Sequence, residues 1–186
     1  SGFYSETADY LKNVYTGTES SGNEAFGFRG KLRFDVSDNF SLQVSADYYD
    51  VESSCCSLPL RSNAGPNILN LAAGIEPSRE NTGYPSDFNP LNTTSQHGVS
   101  VTAEWELENH NLVSVTSYRD WETGGDLNDT DFFASDGANA PVLGGVGLQQ
   151  QAYQEAQTFS QEIRLSPLSS ERFDYVVGAF YFKNDL

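Results

Sequence analysis

One run of oxygen-bearing side chains could bind a cation. It spans residues 126–131, and the oxygen ligands would come from Asp126, Asn128, Asp129 and Asp131. Carboxylate and amide oxygens at alternating positions suit Ca²⁺. The run lacks both the glycine at the sixth position and the later glutamate of an EF-hand loop. We therefore expect no metal site, with calcium at these four residues as the alternative.

The two cysteines, Cys55 and Cys56, are adjacent in the chain. Their Cα atoms should lie ~3.8 Å apart across a trans peptide. That is below the usual disulfide range, which begins at ~4.4 Å, so a vicinal disulfide would be strained. Two reduced thiols on an exposed loop would be unusual in an oxidising compartment. The sequence leaves both states open, and the spacing does not fit a zinc site.

Catalytic patterns are missing from the sequence. Serine, histidine and aspartate all occur, but there is no Gly-x-Ser-x-Gly elbow to carry a nucleophile. The glycines at 144–147 do not lie between a strand and a helix, as a phosphate-binding loop would. We expect neither an enzyme nor a bound cofactor.

Charge and hydropathy limit the function classes. The 186 residues carry a net charge of -16, from 26 acidic and 10 basic side chains. This balance disfavours nucleic acid as a partner, because phosphates require clusters of Lys and Arg. No run approaches the ~18 apolar residues of a membrane-spanning helix. The mean hydropathy of -0.48 is compatible with strands that cross a membrane, because such strands alternate apolar and polar residues.

Alternation with a period of two is the clearest structural signal, and it predicts strands. In segment 25–37 the apolar residues share one face, namely Phe26, Phe28, Leu32, Phe34 and Val36. The other face carries Arg29, Lys31, Arg33 and Asp35. We predict strands at 25–37, 40–50, 99–107, 112–121, 159–165 and 173–183, with one more within 3–15. The facing of 112–121 and 173–183 is left open by the pattern.

Short turns and long loops alternate between these strands. We expect Asp38 and Asn39 to form a tight turn, because both residue types tolerate the positive φ that such turns need. The connections 51–95 and 123–154 are long, rich in Gly, Asn, Ser, Asp and Pro, and show no helical period. Loops of this length are uncommon in compact soluble domains. They are typical of outer-membrane barrels, whose periplasmic turns are short and extracellular loops long.

Strand length also favours a membrane barrel. A strand of about 12 residues rises ~40 Å, and a tilt near 45° reduces its span to ~28 Å, close to the ~25 Å apolar band of such barrels. Soluble strands average only ~5 to 6 residues. Aromatic residues near the predicted strand ends fit interfacial girdles: Tyr48, Tyr49, Tyr118, Trp121, Phe180, Tyr181 and Phe182. The predicted fold class is therefore all-β, an antiparallel transmembrane β-barrel segment. An ordinary β-sandwich core is the alternative.

About seven strands cannot form a complete barrel of this kind, because bacterial barrels close with an even number of strands. A 22-stranded transporter barrel would need roughly 600 residues, of which this chain supplies about a third. The chain begins without Met and ends directly after a strand-like run. We expect residues 1–186 to be one part of a single barrel domain in a longer protein.

Several runs, taken in order, resemble early barrel strands of TonB-dependent outer-membrane receptors. They are DYLKNVYTG (9–17), FRGKLRFDVSDNFSL (28–42), ADYYD (46–50) followed by the two cysteines, LVSVTSYRDW (112–121), FSQEIRL (159–165) and DYVVGAFYF (174–182). Together the runs cover nearly all of the chain except the two long loops. No energy-coupling residue can be carried over, because neither the plug of that family nor its TonB-contacting box is present in the sequence.

The resemblance implies import of a scarce nutrient, above all a ferric siderophore, through a plugged barrel in the bacterial outer membrane. The implied partners are membrane lipid, a small-molecule ligand such as an iron chelate, and the TonB complex through the plug. Two alternatives stay open: a plugless porin-like channel, and a secreted all-β binding or adhesin-like protein.

Two groups of residues are candidates for the barrel interior and rim. The charges expected to face the lumen are Arg29, Lys31, Arg33, Asp35, Asp47, Glu104 and Glu106. Cross-strand pairing, or pairing with a plug, would explain them as well as substrate contact would. The aromatic residues expected to contact ligand near the rim are Tyr49, Trp121, Phe132, Phe133 and Tyr153.

Overall fold

All regular secondary structure among the residues that the computed structural model describes is β, which confirms the all-β prediction. The structure describes residues 1–59, 61, 74–129, 149–168 and 173–186. The strands are β1 Gly2–Thr7, β2 Leu11–Asn13, β3 Glu19–Ser20, β4 Asn23–Ser37, β5 Phe40–Ser53, β6 Gly83–Tyr84, β7 Leu91–Glu106, β8 His110–Asp129, β9 Gln149–Pro167 and β10 Val177–Asp185. Among these described residues there is no helix that could span a membrane.

Seven strands form one antiparallel sheet in the order β1-β4-β5-β7-β8-β9-β10. The number agrees with the predicted count of about seven. Every neighbour in the sheet is also the next of these strands along the chain, so the sheet is a simple meander. The sheet is open, with β1 and β10 at its two edges. Closure into a barrel stays a prediction.

The register of the sheet separates two faces. Leu32 of β4 pairs with Val44 of β5, which pairs with Val101 of β7. We call the side with these three residues the apolar face. Arg29 of β4 pairs with Asp47 of β5, and we call their side the polar face. The alternation predicted for β4, β5 and β7 is thus preserved in the paired strands.

The structure shows which side chains of β8 lie on which face, a point that the sequence left open. Leu112 and Tyr118 pair with Trp105 and Val99, so they lie on the apolar face. The alternate positions Val113 and Val115 lie on the polar face, opposite Glu104 and Thr102. Apolar side chains therefore occur on both faces of β8, which is why its pattern was ambiguous.

Three polar residues occupy the apolar face where β8 meets β9. The hydroxyl of Thr116 donates to Oε1 of Gln161 at 2.5 Å, and Nε2 of Gln161 donates to the hydroxyl of Ser114 at 2.9 Å. The side-chain amide of Gln161 also donates to the Glu162 carbonyl at 3.1 Å. These polar groups therefore satisfy one another by hydrogen bonds along the face.

The apolar face is bare over the described part of the chain. Leu32 is 63% exposed, Phe34 51% and Val101 36%, although all three lie within long strands. The buried hydrophobic residues are few and lie mostly outside the main sheet: Leu11, Ala25, Ile75 and Tyr84. The large sheet therefore has no core of its own on this face.

Four tyrosines mark a line across the apolar face. They are Tyr4, Tyr48, Tyr118 and Tyr181, on β1, β5, β8 and β10. The first three each donate a hydroxyl hydrogen bond to a carboxylate two residues nearer the long loops. These bonds are Tyr4–Glu6 at 3.0 Å, Tyr48–Asp50 at 3.2 Å and Tyr118–Asp120 at 3.4 Å. Acidic residues thus lie on the long-loop side of this tyrosine line, and apolar residues lie on the other side.

The tyrosine line is inclined to the hydrogen-bonding direction, because it shifts by the same number of residues for each strand that it crosses. Following the register from Tyr4 across two strands leads to Asp50, two residues beyond Tyr48. The same walk from Tyr48 leads to Asp120, two residues beyond Tyr118. One residue of rise, ~3.3 Å, per strand spacing of ~4.8 Å means that the strands are tilted by ~35° from the perpendicular to this line. Transmembrane barrels have tilts of ~35–45°.

A second sheet of three short strands, β3-β2-β6, lies at the long-loop end. The single strand predicted within 3–15 is wrong in this respect: β1 ends at Thr7, and β2 pairs with β3 and β6 instead of the main sheet. The break at 8–10 is held by Asp9, whose carboxylate accepts hydrogen bonds from the backbone of Gly22 and the hydroxyl of Ser54, both at 2.7 Å.

Asn13 is the centre of this small sheet and is fully buried. Its Nδ2 donates to the carbonyls of Ser86 at 2.9 Å and Phe88 at 3.4 Å, and to Oδ1 of Asn89 at 3.3 Å. Its Oδ1 accepts backbone hydrogen bonds from Tyr15 at 3.0 Å, and from Thr16 and Ser86 at 3.3 Å each. One side chain therefore connects two loops that are about 73 residues apart.

The first hairpin turn forms where it was predicted but by a different geometry. Ser37 pairs with Phe40, which leaves Asp38 and Asn39 as a two-residue loop. Neither residue has a positive φ, so that part of the prediction is wrong. A β-bulge between Asp35 and Ser37 supplies the extra local twist that a turn of negative φ lacks.

Strands β7, β8 and β9 are longer than predicted. Strand β7 begins at Leu91 instead of 99, so the loop expected at 51–95 is shorter than predicted. The loop expected at 123–154 is narrowed, because β8 continues to Asp129 and β9 begins at Gln149. The added segments of β8 and β9 are mostly polar and do not alternate between apolar and polar residues. Only the strand pairing therefore shows that the strands extend this far. Conversely, the last strand starts at Val177 and not at 173.

Gly125 makes this extension possible, and its replacement is a first test. Its φ of +152° is rare for other residues, and an added Cβ would come within 2.0 Å of the Leu91 carbonyl oxygen. We expect Gly125→Ala to destabilise the outer part of the β8–β9 hairpin by about 1–2 kcal/mol. Hydrogen exchange should accelerate at 126–129 and 149–152. Gly30→Ala is the control, because its Cβ would meet nothing within 4 Å; equal protection in both variants would contradict the expectation.

Candidate functional site

The predicted charged residues share the polar face of the main sheet. Their register places Arg29, Lys31, Arg33, Asp35, Asp47, Glu104 and Glu106 on that side. Arg33 forms ion pairs with Asp35 at 3.0 Å and with Glu104 at 3.8 Å. Both pairs are exposed, so each contributes about 1 kcal/mol or less. That this face lines a lumen stays a prediction.

The least exposed ion pair of this face in the described residues joins β8 to β5 across β7. The guanidinium of Arg119 contacts both carboxylate oxygens of Asp47, at 3.0 and 3.1 Å. It passes over Gly98, where an added Cβ would lie 3.0 Å from the guanidinium. A bidentate pair of this kind fixes orientation as well as charge. Gly98 therefore provides the space that the pair requires. Arg29, Asp47 and Arg119 are aligned by the register, and we call them the charged row.

An aromatic row lies next to the charged row. Phe3 of β1 reaches over Gly27 of β4, and its ring centroid is 5.8 Å from that of Tyr49 on β5. A Cβ on Gly27 would lie 2.6 Å from the Phe3 ring. The same row continues through Gln96 to Trp121, which pair across β7 and β8. Two of the predicted ligand-contact residues, Tyr49 and Trp121, are thus brought into one row.

The other predicted ligand-contact residues are not part of this arrangement. Tyr153 pairs with Gly124 on the apolar face, which is the side opposite to Tyr49 and Trp121. It is largely exposed there. Phe132 and Phe133 lie outside the described residues.

The cysteines are joined as a vicinal disulfide, with their Cα atoms 3.7 Å apart. The pair follows directly on β5 and is flanked by two anchored serines. Ser54 is hydrogen-bonded to Asp9, and Ser57 lies 3.2 Å from the hydroxyl of Ser20 in the small sheet. The disulfide therefore lies in the link between the two sheets.

The calcium candidate lies at the end of β8, of which the structure describes only a part. Asp126 accepts a hydrogen bond from the Gln151 side chain at 2.6 Å, and a register shift follows between Asp126 and Asn128. Asp131 lies outside the described residues. Within the described ranges, no group of three or more His, Cys, Asp or Glu side chains is arranged to hold a metal ion.

Sequence reasoning missed Phe3 and Arg119, although both shape the polar face. Arg119 was not placed because the pattern of β8 did not reveal its facing. A signal was present in Gly27 and Gly98, since a glycine inside a strand often marks a close approach by another group. Each glycine is crossed by the side chain of another strand.

Comparisons of this chain with protein-family models, with curated proteins and with solved structures give no match in any of the three.

Proposed function

We propose that this chain is part of the wall of a transmembrane β-barrel in the bacterial outer membrane. We further propose that the whole protein is a TonB-dependent receptor that imports a scarce nutrient, with a ferric siderophore complex as its cargo. The proposal has two parts with different support. The barrel wall is supported by the geometry of the sheet, and the transport activity by the resemblance in the strands.

One observation carries the barrel proposal: a bare apolar face that ends at an inclined tyrosine line. An apolar surface spread over a sheet of seven strands would make a water-soluble protein associate. Lipid chains would cover it. Tyrosines whose hydroxyls bond Glu6, Asp50 and Asp120 suit the boundary between hydrocarbon and head groups, where one end of the ring is apolar and the other wet.

The edges and lengths of the strands agree with this proposal. Bare edges such as those of β1 and β10 cannot face hydrocarbon, because each unpaired backbone group there costs several kcal/mol. Pairing with further strands of the same barrel would satisfy them. The strands β4, β5 and β7 have 15, 14 and 16 residues, enough to cross a tilted ~25 Å band.

The transport proposal uses the polar face and the loops. The charged row and the aromatic row of the polar face would line the interior of the barrel, where a plug and a passing ligand need polar partners. In this proposal the plug and the TonB contact belong to the rest of the receptor. The acidic long-loop end and the extended β8–β9 hairpin would face the outside, where ligand is captured.

The full-length protein in its native host tests both parts. We expect it in the outer-membrane fraction, soluble only with detergent, and with a faster gel migration before boiling than after it. A fully soluble, monomeric product would overturn the barrel. For transport, deletion of the gene should abolish uptake of one labelled ferric chelate under iron limitation. Unchanged uptake of all tested chelates would overturn the siderophore cargo and leave the barrel standing.

A further inference from the structure

The polar face contains an open concavity of about 680 Å³ between the aromatic row and the charged row. Five strands contribute to it. Its lining includes Phe3, Arg29, Asp47, Tyr49, Gln96 and Arg119. This volume is in the range of sites for small organic molecules, ~300–1,000 Å³. The charged residues could simply form ion pairs within the wall. Whether the concavity can bind a ligand therefore depends on whether any of its charges is left without a partner.

The two arginines of the concavity differ in their partners. Arg119 is neutralised, because it occupies both carboxylate oxygens of Asp47. Arg29 lies beside Asp47 in the register, yet in the described ranges no carboxylate lies within 4.0 Å of its guanidinium. The side chains of the concavity therefore carry one unbalanced positive charge. This contrasts with the chain as a whole, whose net charge is -16.

Two rings form the aromatic side of the concavity. Phe3 and Tyr49 form a tilted pair with an interplanar angle of 32°, and Phe3 is held over Gly27. Their rings are the apolar part of a lining that also includes Arg29. A planar ring can lie against such a surface, and an anionic oxygen on that ring can accept charge-assisted hydrogen bonds from arginine.

We infer that this concavity binds an anionic group carried on an aromatic ring, such as a carboxylate or a phenolate. Arg29 binds the anionic oxygen, Phe3 and Tyr49 contact the ring, and the Arg119–Asp47 pair positions the floor of the site. The inference rests on the proposed receptor function and deepens it, because it selects aromatic, acidic ligands among the possible cargoes.

Three small probes test this inference on the full-length protein folded in detergent micelles. Benzoate has the ring and the charge, benzamide has the ring alone, and acetate has the charge alone. We expect saturable binding of benzoate in saturation-transfer NMR. Benzamide and acetate should each bind at least about tenfold more weakly than benzoate. Equal binding of benzamide would show partition into the micelle and would overturn the inference.

Two arginine variants separate the site from the general charge of the face. Arg29→Gln should weaken benzoate binding by about tenfold or more, because the charge-assisted hydrogen bonds are lost. Arg33→Gln is the matched control: it removes the same charge from the same face of the same strand, outside the concavity. Equal losses in both variants would overturn the inference.

A third variant tests the ring surface. Gly27→Val should displace Phe3 and weaken benzoate more than acetate. Heat-modifiable migration is recorded for every variant. A protein that migrates as a folded barrel and binds no benzoate refutes the site alone, whereas loss of that migration in the unaltered protein refutes the barrel proposal.

Discussion

Val101→Arg should destabilise the protein by about 2–4 kcal/mol when it is folded in a lipid bilayer, as expected for arginine facing lipid at the membrane midplane. Val101 lies on the apolar face of a central strand, midway between His97 and Trp105 of the same face. If the apolar face were exposed to water, the same change would cost about 0.5 kcal/mol or less. The effect is therefore large only if this face is kept from water, which lipid does for a protein folded in a bilayer.

Thr102→Arg is the matched control for this measurement. It is adjacent to Val101, is also β-branched, and lies on the polar face opposite Gln43. Urea unfolding of the full-length protein from vesicles gives the free energy for both variants. We expect Thr102→Arg to change it by about 1 kcal/mol or less, since substitutions inside a lumen are tolerated. Similar values for the two variants would refute the membrane-facing assignment of the apolar face.

Asn13→Ala should unfold the small sheet while the main sheet persists. Six hydrogen bonds are lost, and buried backbone groups of Ser86 are left without a partner. With ~0.5–1.5 kcal/mol for each bond, the expected loss of local stability is about 3–9 kcal/mol. Limited proteolysis should then cleave within 14–18 and 86–89, and hydrogen exchange should accelerate there.

A conservative and a distant variant make this result specific. Asn13→Asp keeps the acceptor but places a second carboxylate oxygen against the oxygens that Nδ2 now donates to, in a fully buried position. It should therefore destabilise the small sheet at least as much as Asn13→Ala. Asn184→Ala removes one exposed hydrogen bond with Thr158 and should leave the small sheet intact. Resistance of Asn13→Ala to proteolysis would show that the loops do not depend on this side chain.

Strands with regular alternation could be predicted from the sequence because the signal is local. In β4 the side chains of Phe28 and Arg29 already differ in polarity, and pairing with β5 only preserves that difference. Strand β8 could not be assigned in this way, since Val113 and Val115 share a face with Arg119. Its facing is fixed by the register with β7 and β9, which no local pattern encodes.

The small sheet was hidden for a related reason. Its hydrogen bonds join Asn13 to residues about 73 positions away, and its strands β2, β3 and β6 have only two or three residues each. Polar residues such as Ser20, Ser86 and Asn89 are typical of a loop when no partner is known. In the candidate site, the face on which the charged side chains of β4 lie could be predicted from the sequence. The side chains that pass over Gly27 and Gly98 could not, because they come from other strands.

The constant step of the tyrosine line also sets how much of a cylinder this wall would cover. At a tilt of ~35°, a strand spacing of ~4.8 Å occupies ~6 Å of circumference. The seven strands of the sheet then span an arc of ~40 Å. In the proposed barrel of 22 strands, the same step gives a radius of ~20 Å. An opening of that width would leak small solutes freely, so the cell would need a separate body inside it to keep its permeability barrier.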